Sequence, residues 1–176
     1  MIKAKIEGKD YNFPKGITLE EMLEETKLHD NRIVVAAIMN NRLVDLSDAV
    51  EEDAQIRYVT MNEEMGNRIY RRSLYLVMTR AIQDLYPGSR LLIEHSLSNG
   101  IYCELHKDRP LCSRDLALIK EKMMEYIKRD LPIRKLVKSK SELVEIFEKQ
   151  GYLDKVEIMS YLERDIFTVY ELEGNY

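Results

Sequence analysis

Four side chains between residues 95 and 112 carry soft-metal chemistry: His95, Cys103, His106 and Cys112. Thiolates and imidazoles are the ligands zinc prefers, and four of them can close a tetrahedral site. The spacing C-x2-H-x5-C fits no familiar zinc pattern, and Cys103 falls at a strand position that should face the core. No metal is expected. A second group is cationic: Lys128, Arg129, Arg134, Lys135, Lys138 and Lys140 stand against the single acid Asp130. Such a run could hold an RNA backbone. No aromatic residue interleaves it, so a solvated loop between helices is the simpler expectation, and any RNA contact there should be weak. Phosphoryl transfer lacks its apparatus. None of the seven glycines opens a G-x-x-x-x-G-K-[ST] loop, and Gly8-Lys9 falls in a hairpin turn, so no cofactor is expected.

These residues must be positioned by the elements around them. Residues 67–86 form the central helix, with Tyr70, Leu74, Val77, Ala81 and Leu85 repeating near the 3.6-residue period until Pro87-Gly88 ends it. Arg90 to Ile93 reads as a strand, Asn99-Gly100 as a turn, and Ile101 to Leu105 as the return strand. A helix follows from about Asp115 to Arg129, with Leu116, Ile119, Met123 and Ile127 as its buried stripe. Ser139 and Glu142 form a capping box that opens another helix ending before Gly151. A short helix from Tyr152 and a strand from Phe167 to Leu172 complete the second region.

The first sixty residues alternate in a different rhythm. Ile2 to Ile6 and Tyr11 to Phe13 have the period of half-buried strands. Thr18 and Glu21 make a capping box for a helix reaching about Lys27, and a row of glutamates, Glu20, Glu21, Glu24 and Glu25, is its solvated face. The continuous apolar run ending at Met39 has the character of a central strand. Asn40-Asn41 tolerates a left-handed turn into Leu43-Val44, and Gln55 to Thr60 is the last strand. Strand-strand-helix-strand-strand is a β-grasp plan, so the fold class is α+β.

Composition bounds the rest. The net charge of −4 comes from 27 Lys and Arg against 31 Asp and Glu, without the strong basic balance of a dedicated nucleic-acid binder. The longest apolar run, Ile33 to Met39, is far short of a membrane span, and the first residues have no apolar signal core. Two cysteines make no disulfide framework. A cytoplasmic protein with no membrane partner is expected.

Two stretches carry resemblances. K-G-I-T-L-E-E, then V-A-A-I-M-N-N-R-L-V-D-L-S, then E-E-D-A-Q-I-R-Y-V-T resembles a TGS domain over residues 1–61. The helix ending A-I-Q-D-L-Y-P, then N-G-I-Y-C-E, D-L-A-L-I-K-E-K-M and F-E-K-Q-G-Y-L-D-K-V-E-I resemble the editing domain of threonyl-tRNA synthetases over residues 62–176. In that family the helix carries H-S-x-x-H. Here Arg72 and Leu76 stand at the two histidine places, while Ser73 is kept. Glu94-His95 replaces a Gly-Pro, and the closing C-x-G-P-H would begin beyond Tyr176, which implies an incomplete last strand. The family pattern puts Arg72 at the mouth of a pocket with Ser73 and the retained Lys155, a cationic site for a small anion or nucleotide.

R-x-Y-x-R-S-L and E-H-S-x-x-x-G-I-Y-C-E also resemble a bacterial kinase of the phosphoribulokinase/uridine kinase family. That resemblance implies a non-catalytic accessory region with a downstream kinase domain as its partner. The alternative is the TGS and editing region of a threonyl-tRNA synthetase, which binds tRNA and proofreads.

Overall fold

Strand β1 (Ile2–Ile6) buries every second residue, Ile2, Ala4 and Ile6, as its alternating sequence requires. In the computed structural model, which describes residues 1–28, 32–98 and 100–176, these side chains begin the first core. β1 pairs antiparallel with β2 (Lys9–Phe13) and parallel with β7 (Ala54–Thr60). β7 in turn pairs with β4 (Val34–Met39), which carries β5 (Arg42–Val44) at the edge. The sheet order β2-β1-β7-β4-β5, with a parallel central pair, is that of a β-grasp. Asn40 and Asn41 make the left-handed turn between β4 and β5, at φ of 49° and 64°.

Helix α1 (Leu19–Thr26) lays Leu19, Met22 and Leu23 against the sheet residues Ile6, Phe13 and Ile56. Its capping box is complete: Thr18 Oγ1 accepts from the Glu21 amide at 3.2 Å, and the Thr18 amide donates to Glu21 Oε2 at 2.8 Å. The Tyr58 hydroxyl donates to the Leu19 carbonyl at 2.8 Å, tying the helix start to the sheet. Two short strands that the sequence does not announce, β3 (Ile17–Thr18) and β6 (Ala49–Val50), pair beside this cap.

Helix α2 (Glu64–Leu85) starts close behind β7. Gly66 permits this, because a Cβ there would lie 2.0 Å from the Thr60 carbonyl oxygen. The chain divides into two units, Met1–Ser73 and Leu74–Tyr176, with the division inside α2.

In the second unit β8 (Arg90–Leu97) and β9 (Gly100–His106) form an antiparallel pair whose register shifts between Ile93 and Ser96. The turn expected at Asn99-Gly100 involves Asn99, which lies outside the described residues. Helix α3 (Ser113–Lys128) follows, then β10 (Arg134–Ser139), α4 (Lys140–Lys149), α5 (Leu153–Tyr161) and β11 (Ile166–Glu171). Leu143, Phe147 and Met159 form a core on which Val156, Phe167 and Val169 pack.

Two expectations need correction. The buried face of α3 is Asp115, Ile119 and Tyr126, while Leu116 and Ile127 are 59% and 49% exposed. The helix is rotated because Asp115 is drawn inward by Tyr86, Lys107 and Arg109, and Tyr126 by Asp84. The basic run is likewise not an irregular loop. Arg134 to Ser139 is a strand, because Leu136 can bury one face of it only when β11 pairs alongside.

Candidate functional site

A cavity of about 190 Å³ opens where α2, the turn after it and α5 approach within the second unit. Thr79 and Gln83 reach it from α2, Ser89 and Arg90 from the turn and β8, and Asp154 and Lys155 from the first turn of α5. Arg90 Nη2 and Asp154 Oδ2 form an ion pair at 3.0 Å. Lys155 Nζ donates to the backbone oxygen of Tyr176 at 3.0 Å and lies over the rings of Tyr152 and Phe147, 4.4 and 4.9 Å from their centres. Burial pushes its pKa down, with Asp154 partly opposing this. The Ser89 hydroxyl is buried without a hydrogen-bond partner among the described residues.

Arg90 and Asp154 stand 64 positions apart, and no local pattern in the sequence pairs them. Asp154-Lys155 at the opening of a helix is the one signal that could have drawn notice to them.

Arg72 and Ser73 occupy adjacent positions on α2, in the first unit. Ser73 Oγ donates back to the Ile69 carbonyl at 3.4 Å, and Arg72 is exposed. Leu76, at the second histidine place of the synthetase pattern, is half-buried. The residues that line the cavity around Lys155 come from the second unit. Lys155 and Arg90 are donors only, and the Thr79 hydroxyl already donates to the Tyr75 carbonyl at 2.8 Å.

The basic run is largely engaged within the protein. Arg129 Nη2 pairs with Glu173 at 2.6 Å, Lys138 Nζ lies 3.8 Å from Glu142, and Lys140 Nζ donates to the Leu162 carbonyl at 2.7 Å. Lys128 ends α3, and Arg134 and Lys135 are exposed at the start of β10.

The sulfur and imidazole groups are also placed individually. Cys112 precedes α3, where its amide donates to Asp115 Oδ2 at 3.0 Å. Cys103 is half-buried in β9, and burial pushes its thiol pKa up. His106 Nε2 lies 3.1 Å from Glu104, and His95 lies against Tyr102 with ring centres 5.4 Å apart. Among the described residues no three His, Cys, Asp or Glu side chains converge to hold a metal ion. Nor is any described helix long and apolar enough to cross a membrane.

In sequence the chain is similar to one class of protein, the aminoacyl-tRNA synthetases. It is 30% identical over 153 residues to the threonine–tRNA ligase of Marinobacter nauticus, covering 87% of this chain and 24% of that protein. It is 30% identical to that of Desulforamulus reducens, covering 94% and 26%, and 27% identical to that of Carboxydothermus hydrogenoformans, covering 100% and 28%. The chain thus spans about a quarter of the length of the curated relatives it matches. No family model matches it.

These relatives overturn the expectation of a kinase accessory region. Homologues over nearly the whole chain are threonine–tRNA ligases, and nothing points to a uridine kinase family. The physical reason is visible in the motifs that carried the kinase resemblance. Tyr70, Arg72 and His95 are exposed, where a side chain can change without disturbing the core, so a short match there discriminates poorly.

Proposed function

We propose that this chain is the TGS and editing-type region of a threonyl-tRNA-synthetase-like protein, and that it holds tRNA in the cytoplasm without deacylating it. The observation that carries the reading is double. The likeness to threonine–tRNA ligases extends over at least 87% of the chain in each relative above, yet Arg72 and Leu76 stand where the synthetase pattern has histidines.

Hydrolysis of a mischarged ester needs a positioned water and a group that trades protons near neutral pH, which histidine does best. A guanidinium stays protonated and leucine has no polar atom, so that role is vacant on α2. What remains favours anions: Arg72 and Ser73 on α2, and Lys155 with Arg90 at the cavity.

The test is a filter-binding titration with tRNA beside a deacylation assay on mischarged tRNA. Binding with no release above the spontaneous rate is expected. Release that Lys155→Ala abolishes would show an active editing site, and an absence of tRNA binding would remove the reading altogether.

A further inference from the structure

The cavity at the start of α5 holds more positive charge than its own residues cancel. Arg90 and Asp154 neutralise each other across 3.0 Å. Lys155 has no such counter-charge. Its ammonium donates to the Tyr176 backbone oxygen and lies over the rings of Tyr152 and Phe147, and it forms no ion pair with a described residue. One positive charge is left over at a half-buried position, where an unpaired charge is costly. Two neutral groups are unmatched as well. The Ser89 hydroxyl is buried with no hydrogen-bond partner, and the Gln83 carboxamide has none among the described residues. The rest of the wall is aliphatic: Ile82, which is buried, Leu91 and Ile93. Size bounds the occupant. A volume of about 190 Å³ is somewhat more than an apolar cavity of roughly 150 Å³ that takes benzene. It falls well short of the roughly 300 Å³ at which pockets for drug-sized ligands begin.

We infer that this cavity binds a small monocarboxylate with a short, branched apolar body. The carboxylate accepts from the Ser89 hydroxyl and the Gln83 amide nitrogen, and it supplies the negative charge that Lys155 lacks. The alkyl group packs on Ile82, Leu91 and Ile93. Hydrogen bonds to an ionised acceptor are the stronger kind, so the two unmatched donors gain most from an anion. A single negative charge equals the positive charge left over. A phosphate dianion would bring a second charge against three aliphatic side chains, with no further cation to meet it. A nucleotide is too large. Water is the poorer occupant, because it satisfies Ser89 but wets the aliphatic wall and leaves Lys155 without a counter-ion.

This binding mode rests on the proposed function only for the anion-binding character of the cavity, and it does not require tRNA. The experiment follows methyl shifts in two-dimensional NMR spectra of the full chain during titration with isobutyrate, isobutyramide, inorganic phosphate and adenosine 5′-monophosphate. The proteins compared are wild type, Ser89→Ala and Lys155→Met. Isobutyrate should shift the methyls of Ile82, Leu91 and Ile93 in the millimolar range expected of so small a ligand. Isobutyramide has the same shape without the charge and should bind roughly tenfold more weakly or worse. Ser89→Ala should weaken isobutyrate roughly ten- to hundredfold. It should not lower the melting temperature, because the hydroxyl removed has no partner to lose. Lys155→Met should erase the preference for isobutyrate over isobutyramide.

Equal binding of isobutyrate and isobutyramide by wild type would overturn the inference. So would tighter binding of phosphate or the nucleotide at the same methyls. Ser89→Ala that lowers the melting temperature and leaves isobutyrate affinity unchanged would make the hydroxyl structural and overturn it too. A filter-binding titration with tRNA on the same samples separates the two readings. If isobutyrate binds and tRNA does not, the carboxylate site stands and the tRNA reading falls. If tRNA binds while isobutyrate shifts nothing, the carboxylate site falls and the tRNA reading stands.

Discussion

Lys107 Nζ lies 3.1 Å from Asp115 Oδ2, and the two side chains are 6% and 0% exposed. Tyr86 and Arg109 also donate to this carboxylate, so a loop, a helix end and the first turn of α3 meet on one buried charge. Asp115→Asn would leave Lys107 buried without its counter-charge, the more damaging half of a broken pair. A marked fall in melting temperature is expected, larger than for the exposed pair broken by Glu145→Gln.

The same carboxylate governs acid stability. The Cys112 amide first, and then the Tyr86 hydroxyl, hold Asp115 well below the usual carboxylate range. A folded pKa below the unfolded value of about 3.9 gives stability that is complete above roughly pH 5 and lost as pH falls toward the folded pKa. Melting temperatures from about pH 5 down to 2 should therefore fall more steeply in wild type than in Asp115→Asn. Parallel slopes would show that the Asp115 charge is not what acid removes.

Gly66 is a packing requirement. A Cβ would sit 2.0 Å from the Thr60 oxygen and 2.7 Å from its carbonyl carbon, so the start of α2 must shift in Gly66→Ala. The gain of about 1 kcal/mol in helix propensity cannot offset such an overlap with backbone. A net loss of about 2 kcal/mol or more is expected in urea unfolding. Unchanged or raised stability would mean that α2 can reseat freely.

The two cysteines should differ in reactivity. Cys112 is exposed, and the Asp115 amide and the Arg109 guanidinium draw its pKa down, whereas burial pushes that of Cys103 up. Thiolate is the reacting form. Under limiting iodoacetamide at pH 7.5, Cys112 should be alkylated first, as peptide mass spectrometry would register. Equal labelling would contradict the described environments.

Lys155 should make stability depend on pH on the alkaline side. Its folded pKa lies below the unfolded value of about 10.4, so the unfolded chain binds more protons between the two and stability rises with pH there. The difference in melting temperature between wild type and Lys155→Met should move in favour of wild type from about pH 7 to 9.5. A constant difference would place the amine in water. Lys155→Ala should be less stable than Lys155→Met, because it also empties the space against Tyr152 and Phe147.

The features legible in the sequence were the local ones. Thr18 with Glu21 and Ser139 with Glu142 lie three residues apart, and a helix start brings such residues into contact whatever the rest of the chain does. The alternation of β1 and the Asn40-Asn41 turn are equally short-range, and together they delivered the β-grasp plan. The likeness to threonine–tRNA ligases was readable for the same reason: it is a matter of residue order.

Tertiary structure decided what depends on partners far along the chain. The apolar period of α3 points to Leu116 and Ile127, but the buried side follows Asp115, whose donors come from Tyr86, just after α2, and the loop after β9. β10 reads as a basic connection until β11 pairs with it, and that pairing alone places Tyr170 beside Lys135. The setting of Lys155 likewise needs Phe147 and Tyr176, contributed from either side of α5 in the chain. A residue's own type fixes what chemistry it can do. Which face it shows, and which charges surround it, is set by long-range burial, because only the whole fold can compensate for removing a charge from water.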